Sequence, residues 1–104
     1  MNDKPEPTLE ELIAQAETAE RPGDIGWGLV KFCGLPDMRQ TYSWFTLMCK
    51  RYDIEHARSL VISVLENGTT IADFDADPRH FRAWFTATLK AKAQESTKGM
   101  RIFA

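Results

Sequence analysis

The sequence predicts an all-α fold, a single small bundle of four to five helices. Three observations carry this. Apolar residues recur at helical spacing along most of the 104-residue chain. Residues that start and stop helices punctuate that pattern at short intervals. No alternating apolar run reaches the length of a strand, since Thr69-Thr70-Ile71 is too short to count as one. With 43% apolar and 27% charged residues, the composition is that of a globular chain, and its length fits one domain. No apolar run approaches the roughly 20 residues needed to cross a bilayer. The segment Met1–Pro7 lacks the basic-then-apolar order of a secretory signal, so the expected location is cytoplasmic.

The elements follow in order. Residues 1–7 hold two prolines and three charges and are expected to form a flexible arm. Residues 8–94 make the helical domain, and 95–104 a loosely docked tail. The first helix spans 8–20. Thr8-Leu9-Glu10-Glu11 is a capping box, in which the hydroxyl takes the third amide and the glutamate reaches back to the cap. Leu9, Leu12, Ile13 and Ala16 share one face. Glu10, Glu11, Glu17 and Glu20 line the other, and Arg21-Pro22-Gly23 ends the helix.

Asp24 is expected to cap a second helix over 24–33, although Gly26 and Gly28 each weaken it by about 1 kcal/mol relative to alanine. Asp37 caps a third helix over 37–50, apolar over much of its girth. A fourth spans 53–67, on the clean spacing of Ile54, Ala57, Leu60, Val61, Val64 and Leu65. Asn67-Gly68 stops it. Thr69–Asp77 reads as a loop. Asp77-Pro78 opens a fifth helix over 77–94, with the proline at the first helical position. Trp44, Phe45, Leu60, Val61, Val64, Phe81, Trp84 and Phe85 are expected to be mostly buried.

Several chemistries are disfavoured. Cys33 and Cys49 sit in apolar surroundings and read as buried free thiols. With His56 and His80 they show none of the spacings of a metal site, so no metal or other cofactor is expected. Asp73, Asp75 and Asp77 open like a calcium loop. However, the positions that need glycine and a bidentate glutamate hold Pro78 and Trp84. No nucleophile elbow, zinc-protease helix or phosphate-cradling loop is present, and the expectation is a protein that is not an enzyme.

The charge, net −2 overall, is unevenly placed. Residues 1–26 carry two basic and seven acidic side chains, and residues 79–104 carry six basic and one acidic. A helix-turn-helix reader on the fourth helix is disfavoured, because its outer residues Glu55, His56, Arg58, Ser59, Ile62, Ser63 and Glu66 sum to −1. The fifth helix is better placed. Arg79, Arg82 and Lys90 share one edge, Lys92 follows, and Lys98 and Arg101 lie beyond. These are the candidate residues for contact with nucleic acid or a protein partner. Alternatively, the acidic and basic ends attract each other, within the fold or between two copies.

The segment 53–57 (Asp-Ile-Glu-His-Ala), the apolar helix ending Val64-Leu65-Glu66-Asn67-Gly68, and the entry Asp77-Pro78-Arg79-His80-Phe81-Arg82 carry a resemblance. Together residues 52–93 resemble the C-terminal portion of plasmid replication-initiator proteins of the RepC kind. They are also similar, more loosely, to the DnaD-like helical domains of plasmid and phage replication proteins. The matching residues are Ala57, Val61, Val64, Leu65, Pro78, Phe81 and Arg82. Arg79 and His80 stand where those families usually have glycines, and no winged-helix segment precedes the match. The resemblance implies a small accessory or regulatory protein of plasmid or phage replication, binding DNA weakly or binding a replication protein. The alternative is an inhibitor or adaptor from a mobile element that binds a host protein and no nucleic acid.

Overall fold

The structure, a computed structural model, describes residues 7–102, with side chains described over residues 7–95. All of its regular elements are helical: α1 (Leu9–Thr18), α2 (Pro22–Ile25), α3 (Trp27–Lys31), α4 (Met38–Tyr52), α5 (Ile54–Asn67), a 3-10 turn (Ile71–Phe74) and α6 (Pro78–Ile102). No helix among the described residues is long and apolar enough to cross a membrane. The expected arm 1–7 falls almost wholly outside the described residues, as does the side-chain docking of the expected tail 95–104.

The capping box at α1 forms. The Glu11 amide donates to the Thr8 hydroxyl at 3.1 Å, and the Thr8 amide donates to the Glu11 carboxylate at 2.9 Å. Those bonds hold the Glu11 carboxyl below its ordinary range. The second helix expected at 24–33 is instead two short ones. Pro22, not Asp24, begins α2, because its fixed φ and missing amide suit the first helical position. The chain breaks at Gly26, and both glycines there serve packing. A Cβ on Gly26 would lie 3.0 Å from the Phe45 ring, and one on Gly28 would lie 2.9 Å from Leu65. The glycines therefore let α2 and α3 sit directly on α4 and α5.

Asp37 caps α4 as expected, taking the Gln40 amide at 3.0 Å. A single residue, Asp53, joins α4 to α5, so α4 runs two residues beyond the expected end at 50. Gly68 ends α5 in the left-handed conformation and returns its amide to Val64 and Leu65. The expected loop 69–77 contains a structured 3-10 turn. Thr70 and Asp73 form a second capping box, and Phe74 packs 5.5 Å from Phe81 and 5.1 Å from Trp84. Helix α6 continues past the expected end at 94 to Ile102, and the good helix formers of residues 89–95 carry it past that point.

Ala76 sits at φ 57° in this turn, exposed to solvent. A left-handed alanine is disfavoured by its Cβ. Replacing Ala76 with glycine should therefore stabilise the fold by about 1 kcal/mol and raise the melting temperature by about 4–8 °C. A lower melting temperature would contradict the backbone assignment at this turn.

One core results. Ala57, Leu60, Val61, Val64 and Leu65 of α5 are buried at its centre, with Leu12 and Ala16 of α1, Phe45 of α4, and Phe81, Phe85 and Leu89 of α6. Helix α5 lies between α1 and the α4–α6 pair. Of the eight residues expected to be mostly buried, Trp44 and Trp84 are only half-buried. Each indole lies at the rim, where one edge meets the aromatic core and the rest reaches solvent.

Candidate functional site

Helix α4 carries Arg39, Lys50 and Arg51 and no acidic residue. The described side chains of α6 include Arg79, Arg82, Lys90 and Lys92 against one acid, Glu95. These two helices pack together through Thr86. The Trp44 indole Nε1 donates to the Thr86 hydroxyl at 3.4 Å, and that hydroxyl donates to Met48 Sδ at 3.6 Å. Arg82 and Lys90 stand four residues before and after Thr86, one helical turn to each side. The seam between α4 and α6 thus sets Arg82 and Lys90 beside α4, on which Lys50 and Arg51 lie within two turns of Trp44.

Helix α4 also holds the most exposed large apolar side chain described, Leu47, at 60%. Trp44, Lys50 and Arg51 are its neighbours at helical spacing. Leu47, Met48, Lys50 and Arg51 line a shallow hollow of about 290 Å³. The combination is an apolar and aromatic strip edged by positive charge, with the Arg51 guanidinium over the Tyr52 ring at 5.9 Å. Attention to the fifth helix alone missed the α4 half. The signal was present in the acid-free stretch 38–52.

The candidate residues divide. Arg82 and Lys90 flank Thr86 on the side of α6 that meets α4. Arg79 is held by Asp77, with Nη2 3.2 Å from Oδ2 and Nε 3.3 Å from Oδ1. This pairing pushes the Arg79 guanidinium up and the Asp77 carboxyl down in pKa. The Asp77 carboxylate also takes the Arg79 amide at 2.9 Å, so the N-terminus of α6 is already capped by an anion. Lys92 lies elsewhere, in a hollow of about 500 Å³ with Glu55, His56, Ser59 and Glu95.

Arg58, read from the sequence as outward-facing, points inward. Its Nη1 donates to the carbonyls of Ala16, Glu17 and Ala19 at 2.7, 3.1 and 2.8 Å, and its other nitrogens pair with Glu55. It satisfies the carbonyls that the end of α1 leaves open. It is therefore unavailable to any ligand, which removes the one positive charge a reader on α5 would have offered.

The ion pairs among the described residues are local: His56 with Asp53, Arg58 with Glu55, Arg79 with Asp77, and His80 with Asp75 and Asp77. None joins the acidic surface of α1 to the basic face of α4 and α6. Among the described residues no group of three or more His, Cys, Asp or Glu side chains is arranged to hold a metal ion. The two thiols are buried and free, and burial pushes Cys33 up to about 12 and Cys49 to about 11. Alkylation of the native protein at mild alkaline pH should run at least about 100-fold slower than in denaturant, because little thiolate forms and access needs an opening. A thiol that reacts at the unfolded rate would contradict this burial.

No protein-family model matches the chain, and no curated protein or solved structure is significantly similar to it.

Proposed function

We propose that this is a small helical binding protein that contacts nucleic acid through the α4–α6 face, without catalysis. We place it in the cytoplasm, in an accessory role in plasmid or phage replication. The observation that supports binding is the Trp44–Thr86 bond, which sets Arg82 and Lys90 of α6 beside α4, a helix that carries Lys50 and Arg51 and no acid. The resemblance over residues 52–93 supports the setting in replication. Positive side chains displace counterions from phosphates, so binding is weak, largely independent of sequence and steeply salt-dependent, with Kd about 10⁻⁴–10⁻⁶ M at physiological salt.

Fluorescence anisotropy with a labelled DNA oligomer tests this. Replacing both Arg82 and Lys90 with alanine should weaken binding several-fold and flatten its salt dependence, while helical content stays the same. A second reading rests on Leu47. An exposed leucine among basic residues also suits an acidic protein surface with an apolar anchor, as in an inhibitor or adaptor of a replication or host protein. Absence of DNA binding even at low salt would put that reading first.

A further inference from the structure

Described residues 7–20 hold four acidic side chains and no basic one, while α4 and the described side chains of α6 hold seven basic and one acidic. Helix α5 lies between α1 and the α4–α6 pair. Glu10, Glu17 and Glu20 are exposed, as are Lys50, Arg51 and Lys90, and no ion pair within the described residues uses any of them. The molecule is therefore electrically polar, with both poles open to solvent.

The two surfaces also match in spacing. Glu10 and Glu17 are seven residues apart on one side of α1, a separation of about 10.5 Å, and Arg82 and Lys90 are about 12 Å apart on α6. Exposed Ala14 lies between the two glutamates, a small flat spot opposite which a leucine can rest. Leu47 is the exposed leucine of the basic face.

We infer that the acidic face of α1 in one copy docks on the basic α4–α6 face of a second copy, with Leu47 against Ala14. The contact joins two different surfaces, so each docked pair keeps one free acidic and one free basic face. Because the two faces lie on opposite sides of α5, assembly is then head-to-tail, into an open chain or a ring, rather than a two-fold dimer. Exposed charge pairs contribute little each, so the association is weak and salt-sensitive.

Sedimentation equilibrium of protein freed of nucleic acid, the rival occupant of the basic face, tests this. The screening length falls from roughly 20 Å at about 0.02 M salt to roughly 4 Å at about 0.5 M. At low salt and about 1 mM protein, the weight-average mass should exceed the monomer mass by about 1.5-fold or more, and it should return to the monomer value at high salt. The doubly substituted chains Glu10→Lys with Glu17→Lys, and Lys50→Glu with Lys90→Glu, should each be monomeric alone. Mixed in equal amounts they should recover the association, because each then meets an opposite face. A wild-type chain that is monomeric at low salt would overturn the inference, as would association that salt does not weaken. A mixture that stays monomeric while both variants keep wild-type helicity would also overturn it. If a variant loses helicity, the wild-type salt series alone decides.

Discussion

Replacing Phe85 with alanine should destabilise the protein by about 3–5 kcal/mol, the range for deleting a buried ring. Phe85 has no exposed surface and meets four aromatic neighbours, with ring centroids 5.3 Å from Trp44, 6.1 Å from Phe45, 6.3 Å from Phe81 and 6.5 Å from Trp84. It is where α4 and α6 meet, so neither helix can collapse into the cavity without losing its other contacts. Domains of this size have about 5–15 kcal/mol in total, so the variant should show a measurable unfolded fraction in mild urea. Phe85→Leu, which fills most of the volume, should lose well under half as much. Equal losses for the two variants would mean that the ring geometry is not what matters.

Arg58 carries the second large effect. Its side chain is 17% exposed, and the guanidinium serves three main-chain carbonyls and one carboxylate at once. Arg58→Ala leaves the last carbonyls of α1 without donors in a partly buried place and leaves Glu55 without its partner. A loss of about 2–3 kcal/mol is expected, which lowers the melting temperature by about 8–24 °C. The effect should be local first, with hydrogen exchange speeding most in α1. Arg58→Lys should recover only part of the loss, since one ammonium has three donors and no fork. A variant as stable as the wild type would show that α1 holds its place by apolar packing alone.

What the sequence made legible was local. Thr8 with Glu11, Asp37 before α4, Gly68 after α5 and Pro78 at the start of α6 each act through neighbours within a few residues, and each appears where its spacing placed it. The apolar face of α5 and the Phe81–Phe85–Leu89 row were legible for the same reason. Distant relations were not legible. Arg58 finds its carbonyl partners 39 to 42 residues earlier in the chain, and no local pattern marks such a bond. Gly26 and Gly28 looked like weak points of a helix because their service is to side chains on α4 and α5. Thr70-Ile71-Ala72-Asp73 did carry the capping-box pattern, but the following acidic run masked it. The candidate site was half legible. Charge along α6 pointed to Arg79, Arg82, Lys90 and Lys92, of which Arg82 and Lys90 flank Thr86 at the seam with α4. Their assembly with Trp44, Leu47, Lys50 and Arg51 depends on how α4 lies against α6, which periodicity does not specify.

The α4–α6 face is the proposed binding surface. The three indole N–H resonances test it most directly, in a titration of the protein with a short DNA oligomer at low salt. Trp44 lies on the proposed face, its Nε1 tied to Thr86 at 3.4 Å, whereas Trp27 lies on α3 with Lys31 Nζ over its ring at 4.9 Å. The Trp44 signal should move with added DNA and return as salt is raised, while that of Trp27 stays in place. Movement of Trp27 with Trp44 unmoved, or no movement at either, would contradict the claim.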